Sequence, residues 1–358
     1  MWLLVLWTLT AACDDEGLVL LQHTASGRGW SLPLAYARDR LLLDVSIGNL
    51  EPRRLLLDTG SSTVAFCNVS LPELTANTGL KACEQYGPSL ANGYFSDGYV
   101  GPFYRGRLRL HRSLVIPDAS YAVFSEGSCA PWLCTGKPSQ GIFGVAYRQR
   151  SKAYPSSVNL SSACSEVAGD VEMLCPSTTA SLMAPLLQDL LMTSEGSEVF
   201  GIYWSGKQDG ALYLGSHALE TCHYDPLAPR AVLAKAAGSN GWYNVKVLKI
   251  VVDGMEFQGF DCTRHARACI IDTGTPGILL PSSLAGLSFS QLGKLEFYLE
   301  ALEGSLVLDF DLSELKHVET LGAPKAFWDP LMVIGLPLWA HYYTVFDLTK
   351  DTVSFTRH

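Results

Sequence analysis

The stretch Leu55-Leu56-Leu57-Asp58-Thr59-Gly60-Ser61-Ser62-Thr63 constrains this chain more than any other. An apolar run delivers one carboxylate to a tight glycine turn flanked by hydroxyls. The chain writes the same phrase again as Ala268-Cys269-Ile270-Ile271-Asp272-Thr273-Gly274-Thr275-Pro276. A single Asp-Thr-Gly says little, because turns after strands often use these residues. Here each copy follows a run that reads as a buried strand, and each is followed by a second shared signal. That signal is Gly141-Ile142-Phe143-Gly144 in the first half and Val333-Ile334-Gly335 in the second. Self-similarity over so long a period predicts an internal duplication.

A chain of 358 residues is long for one average domain and suits two lobes. Apolar residues make up 48% and charged residues 17%, which permits a large core and argues against disorder. The formal net charge of −9 leaves no basic face for nucleic acid. It reads as a solvated acidic surface, which an enzyme working in acid would tolerate because many carboxylates are neutral there.

The paired loops and returning strands resemble those of the pepsin-like aspartic proteases, from about Leu41 to the C terminus. That family carries an Asp-Thr-Gly-Ser/Thr loop in each of two β lobes, with an apolar-apolar-Gly strand threading behind each loop. The resemblance implies an all-β dominated, bilobal double β-barrel with a few short helices and an active site in the cleft between lobes. It divides the chain into an N-terminal lobe over 36–197, carrying Asp58, and a C-terminal lobe over 198–358, carrying Asp272. The second lobe is shorter between its aspartate and its apolar-apolar-Gly strand, as if trimmed. Asp58 and Asp272 become the catalytic pair, supported by Thr59, Gly60, Ser61, Thr273, Gly274 and Thr275. Pro276 stands where the family commonly has Ser.

The chemistry follows from two carboxylates brought close. They cannot both ionise readily, so the pair holds one proton over an acidic range, and the titration belongs to the pair. The ionised member takes a proton from a trapped water while the protonated member hydrogen-bonds the scissile carbonyl. Water attacks, and the roles reverse as the tetrahedral intermediate collapses onto the amine. The implied activity is aspartic endopeptidase action on a peptide or protein substrate, with no cofactor and no metal. A non-catalytic binding or inhibitor protein on the same fold is the alternative. A serine hydrolase is disfavoured, since no Gly-x-Ser-x-Gly elbow is present. The duplicated Asp-Thr-Gly frame argues against a glycosidase, which also uses two carboxylates.

In the family a β-hairpin flap covers the cleft, with a tyrosine near its start. Phe95-Ser96-Asp97-Gly98 resembles the family's Tyr-Gly-Asp-Gly, with Phe95 in the tyrosine position and Tyr94 and Tyr99 as alternatives. The family's tryptophan after the first Asp-Thr-Gly-Ser-Ser has no counterpart in Val64-Ala65-Phe66. Leu56, Ile142, Phe95 and the Trp132-Leu133 loop are expected to line the pocket before the scissile bond, giving a preference for apolar residues there.

Residues 1–13 read as a signal peptide, either for plain secretion or for a lipoprotein anchored at Cys13. Residues 1–12 are apolar and too few to span a bilayer as a helix. The short segment over 14–35 contains no lysine, unlike the longer, lysine-rich segments of pepsin-like zymogens, so activity is expected without removal of a long prosegment. Ten cysteines imply an oxidising, extracytoplasmic compartment. The expected pairs are Cys129 with Cys134, Cys164 with Cys175, Cys262 with Cys269, and Cys67 with Cys83; with Cys13 cleaved off or lipidated, nine cysteines remain and Cys222 is the odd one. Asn68 and Asn159 head N-glycosylation sequons, meaningful in a eukaryotic secretory pathway. A monomer is expected. Elsewhere, 284–302 is read as helical, and 241–245 as a hairpin partner of 248–254.

Overall fold

Arg53–Asp58 is a strand whose Leu55, Leu56 and Leu57 have no exposed surface. It lies between Leu41–Ile47, to which it is antiparallel, and Gly141–Gly144, to which it is parallel. Both of its faces are covered, so its leucines run without alternation. Val64–Cys67 returns from the Asp58 loop and pairs antiparallel with the other edge of Gly141–Gly144. The second half repeats this arrangement. Cys269–Ile271 runs parallel to Met332–Ile334, and Ile278–Leu280 pairs antiparallel with the same strand. A strand from far along the chain thus threads between the two arms of each aspartate loop.

The glycine closing each threaded strand is required by close approach. A Cβ on Gly144 would sit 2.6 Å from the backbone nitrogens of Ser62 and Thr63. One on Gly335 would sit 2.0 Å from the Gly277 carbonyl oxygen.

This computed structural model describes residues 29–72, 75–88, 96–111, 114–124, 134, 138–158, 160, 180–195, 197–233, 241–260, 262, 268–321 and 331–358. The signal segment with Cys13, and also Tyr94, Phe95, Cys129, Trp132, Leu133, Asn159, Cys164 and Cys175, lie outside the described residues. A fifteen-stranded sheet runs through both halves, and two four-stranded sheets complete the second. The halves join through Gly29–Tyr36, which pairs along seven positions with Asp209–Gly215. Asp209–Gly215 pairs in turn with Val199–Trp204, and that strand with Tyr342–Asp347. Leu186–Glu195 and His217–Glu220 are short α-helices. The architecture is the strand-dominated, bilobal one that the duplication implies.

Several expectations need correction. The 284–302 stretch begins where the 3-10 turn Ser282–Leu284 ends, and it holds the 3-10 turn Phe289–Gln291 and the strand Lys294–Glu300, in which Leu295, Phe297 and Leu299 alternate inward. That period of two is a strand's, and the helical reading overlooked it. The strand Val247–Val252 forms its hairpin with Met255–Gln258 and not with 241–245. Asp253-Gly254 makes this turn with φ of 47° and 81°, the positive values that suit Asp-Gly. Cys67 bonds Cys134, which overturns both Cys67 with Cys83 and Cys129 with Cys134. The strand pairing explains it: Cys67 ends a strand that runs beside Val115–Phe124, and the chain after Phe124 leads on to Cys134. Cys262 bonds Cys269 as expected. Cys83 and Cys222 are also disulfide-bonded, so Cys222 is not the odd cysteine.

Candidate active site

Each aspartate stands at the end of its strand, locked to the strand threaded behind it. Val145 N–H donates to the Asp58 carbonyl at 3.0 Å, and Asp272 N–H donates to the Ile334 carbonyl at 3.0 Å. The next residue in each loop reaches across to the other half. Thr59 N–H donates to Thr273 Oγ1 at 3.0 Å, and Thr273 N–H to Thr59 Oγ1 at 2.9 Å. The two hydroxyls continue onward, Thr59 to the Ile271 carbonyl at 2.9 Å and Thr273 to the Leu57 carbonyl at 2.7 Å. Both threonines are buried, and each of these N–H and O–H groups finds its acceptor in the other half. Thr59 and Thr273 hold the two loops together directly.

The carboxylates are cradled alike. Asp58 Oδ1 accepts from Gly60 N–H at 2.7 Å and Oδ2 from the Ser61 hydroxyl at 2.7 Å. Asp272 Oδ1 accepts from Gly274 N–H at 2.9 Å and Oδ2 from the Thr275 hydroxyl at 2.6 Å. The glycines make the close approach possible. A Cβ on Gly60 would lie 2.8 Å from Asp272 Oδ1, and one on Gly274 would lie 2.6 Å from Asp58 Oδ1. Asp58 is 4% exposed and Asp272 8%, so the pair is nearly withdrawn from bulk water. Burial pushes the Asp58 carboxyl well above the usual carboxylate range. The Asp272 charge and a hydrogen bond shared with Asp272 push in the same direction, while the Ser61 and Gly60 bonds oppose them. A proton held between two such groups is the prerequisite for one to act as base and the other as acid. Arg40, which the sequence did not single out, senses the pair. Burial lowers its guanidinium pKa, and the Asp58 charge resists that.

The hairpin beside the site runs from Ala76–Pro88 into Ser96–Arg109, with Pro88 opposite Ser96 and Glu84 opposite Tyr99. Ser96, Asp97 and Gly98 therefore open the returning strand. Tyr99 is not a cleft-facing flap residue: it is 1% exposed, stacks on Phe124 with centroids 5.0 Å apart, and donates its hydroxyl to Glu84 Oε2 at 2.7 Å. Tyr86 and Gly87 lie close to the end of the outgoing strand. Leu56 and Ile142 face each other in the parallel pair and are fully buried among Ala65, Phe103 and Phe124. They belong to the core of the first half and do not line a pocket.

Sequence reasoning also missed what surrounds Ser61. Glu84 is buried, and its Oε1 accepts from Ser62 N–H at 2.9 Å and from Arg150 Nε at 3.4 Å. The Arg150 guanidinium lies 4.5 Å from the Trp242 ring centroid, and the Trp242 indole N–H donates to the Gly60 carbonyl at 3.0 Å. An indole does reach the first loop, and it comes from the other half. Among the described residues no cluster of His, Cys, Asp or Glu is arranged to hold a metal ion. No helix among them is long and apolar enough to cross a membrane.

No protein-family model matches the sequence, and no curated protein matches it. Among solved structures, the aspartic proteinase from Irpex lacteus superposes with a TM-score of 0.64 over 92% of this chain and 97% of that chain. The two sequences are 16% identical, so the likeness is one of fold, and that fold is pepsin-like.

Proposed function

We propose that this protein is an aspartic-type endopeptidase in which Asp58 and Asp272 activate a water between them and hydrolyse peptide bonds in acid. The observation that carries the reading is the matched cradling of two buried carboxylates. Each has one oxygen on a glycine N–H and the other on a hydroxyl, and each lies against the glycine of the opposite loop. The asymmetry needed for catalysis is a single proton, and the burial of Asp58 keeps that proton in place. No side-chain nucleophile is required. Gly60 and Gly274 leave the inner oxygens open to one another, and Ser61 and Thr275 fix the outer ones.

The remaining features follow this reading. The lobe boundary falls near residue 198, the substrate is a peptide or protein, and the chain works as a monomer without a cofactor. Its disulfides suit secretion or another extracytoplasmic location. The preference for apolar residues around the scissile bond rests on Phe95, Trp132 and Leu133, because Leu56 and Ile142 lie in the core. A peptide-library digest tests it, and cleavage concentrated beside Lys or Arg would sink it.

Purified protein incubated with denatured haemoglobin at several pH values, with and without a transition-state-mimicking peptide, tests the activity. Acid-dependent cleavage blocked by that peptide is the expected result. Binding of the peptide without any cleavage would replace the peptidase reading with a binding protein.

A further inference from the structure

We infer that Trp242, Arg150 and Glu84 form one positioning device that sets the backbone of Ser61, and through it the orientation of the Asp58 carboxylate. The inference rests on the peptidase reading for its kinetic consequence but not for its structural one. Ser61 donates to Asp58 Oδ2, so any play in Ser61 becomes play in the carboxylate. The backbone groups on either side of Ser61 are both tied down. The preceding carbonyl, of Gly60, accepts the Trp242 indole N–H, and the following N–H, of Ser62, donates to Glu84 Oε1. These two tethers come from different halves of the molecule and are joined by Arg150, which stacks on the indole and reaches the same Glu84 oxygen.

Each member of the device is held in turn. Glu84 takes the Tyr99 hydroxyl on its second oxygen, so both of its oxygens are engaged, and its side chain is 1% exposed. The Arg150 side chain is 8% exposed. A planar guanidinium suits this place, since it can stack on the indole while its edge reaches a carboxylate. Gly241, just before Trp242, has φ of 75° and passes so close to Arg150 that a Cβ there would lie 2.9 Å from its backbone nitrogen. The chain around Trp242 is bound to both aspartate loops. Ile271 N–H, just before Asp272, donates to the Tyr243 carbonyl at 3.1 Å, and Asn244 Oδ1 accepts from Cys269 N–H at 2.6 Å. The Tyr243 hydroxyl donates to the Val145 carbonyl behind Asp58. Trp242 thus carries the position of the Asp272 strand to the Asp58 loop. A buried carboxylate paired with a buried guanidinium is a costly way to hold one amide, and preorganisation of a reacting group is the use that accounts for it.

The test compares Trp242→Phe, Arg150→Lys, Glu84→Ala and Glu84→Gln with wild type. Lys249→Ala, which breaks the exposed pair with Glu256, serves as control. Two readouts are taken on variants shown to be folded: hydrogen–deuterium exchange across residues 58–63, and kcat and KM for a peptide substrate. Exchange in that loop should rise about tenfold or more in Trp242→Phe and Glu84→Ala, while Lys249→Ala leaves it unchanged. Glu84→Gln keeps an acceptor for Ser62 N–H and should recover most of the protection. Kinetically, kcat should fall about tenfold or more while KM changes less than about threefold. Combining Glu84→Ala with Trp242→Phe should be little worse than the worse single change, because the groups act as one unit. Unchanged loop exchange in both Trp242→Phe and Glu84→Ala overturns the inference, as does a loss confined to KM. If the wild-type protein hydrolyses nothing, the peptidase reading fails while the exchange measurement still decides whether the device holds the loop.

Discussion

Asp58 and Asp272 differ from every other carboxylate described in the chain because they are buried and face each other across two glycines. Their importance was legible in the sequence, since the same turn written twice around the same residue types points to one duplicated site. Glu84 was not legible. It sits between Cys83 and Gln85 with no pattern to mark it as buried, and its partners Ser62, Tyr99 and Arg150 are brought to it only by the folded sheet. The raised Asp58 pKa has a consequence for stability. The folded state keeps a proton that the unfolded chain releases near the ordinary value of 3.8. Stability from that proton is present below the unfolded pKa and is lost as pH rises through the folded one. Asp58→Asn has no such proton to lose. Its amide oxygen can still accept from Gly60, and the Ser61 hydroxyl can turn to suit an NH2 group. Thermal melts should therefore show Asp58→Asn more stable than wild type at about pH 7, with the gap closing towards about pH 3.5. A gap that widens in acid would contradict the assigned direction.

At the scale of elements, strands with continuous apolar runs or clean punctuation were readable. Arg53–Asp58 and Gly141–Gly144 fall where the sequence puts them. Lys294–Glu300 was misread because apolar residues at alternate positions also satisfy a loose helical count over a long window. Gly29–Tyr36 escaped notice, and it holds Pro33, a residue that ordinarily argues against a strand. Its sheet neighbours explain the exception. Pairing with Leu41–Ile47 begins only at Leu34, so Pro33 lies where the second neighbour has not started. This strand brings Leu32 and Leu34 into the core and zips the first half to the second through Asp209–Gly215. Losing two such leucines alone would cost about 2–5 kcal/mol each, on the scale of Leu→Ala truncations. The strand is therefore expected to remain in the working molecule. Intact-mass measurement of the active form should place its N terminus at or before Gly29, and a chain starting at Leu41 should fail to fold. An active form that begins at Leu41 or later would show the strand to be dispensable.

Among the described residues, the two halves are joined at several depths. The outermost is the sheet that links Gly29–Tyr36 to Tyr342–Asp347 through two intervening strands. Deeper lies the contact of Tyr147 and Tyr243, whose rings are 4.9 Å apart, with Tyr147 N–H donating to the Gly241 carbonyl at 3.0 Å. The innermost is the exchange of bonds between Thr59 and Thr273. The last of these sits one residue from each carboxylate and ties the two aspartate loops to each other. On the proposed reading, this convergence lets Asp58 and Asp272 share one proton and attack a peptide bond with water. The most direct test is the rate of peptide hydrolysis across about pH 3–8 for wild type, Asp58→Asn and Asp272→Asn side by side. The rate in the wild-type protein should be highest below neutrality and fall as the pair loses its shared proton, and each variant should lose about 10²–10⁴-fold or more while remaining folded. Substantial activity in either variant, or a wild-type rate that keeps rising through about pH 8, would contradict the account.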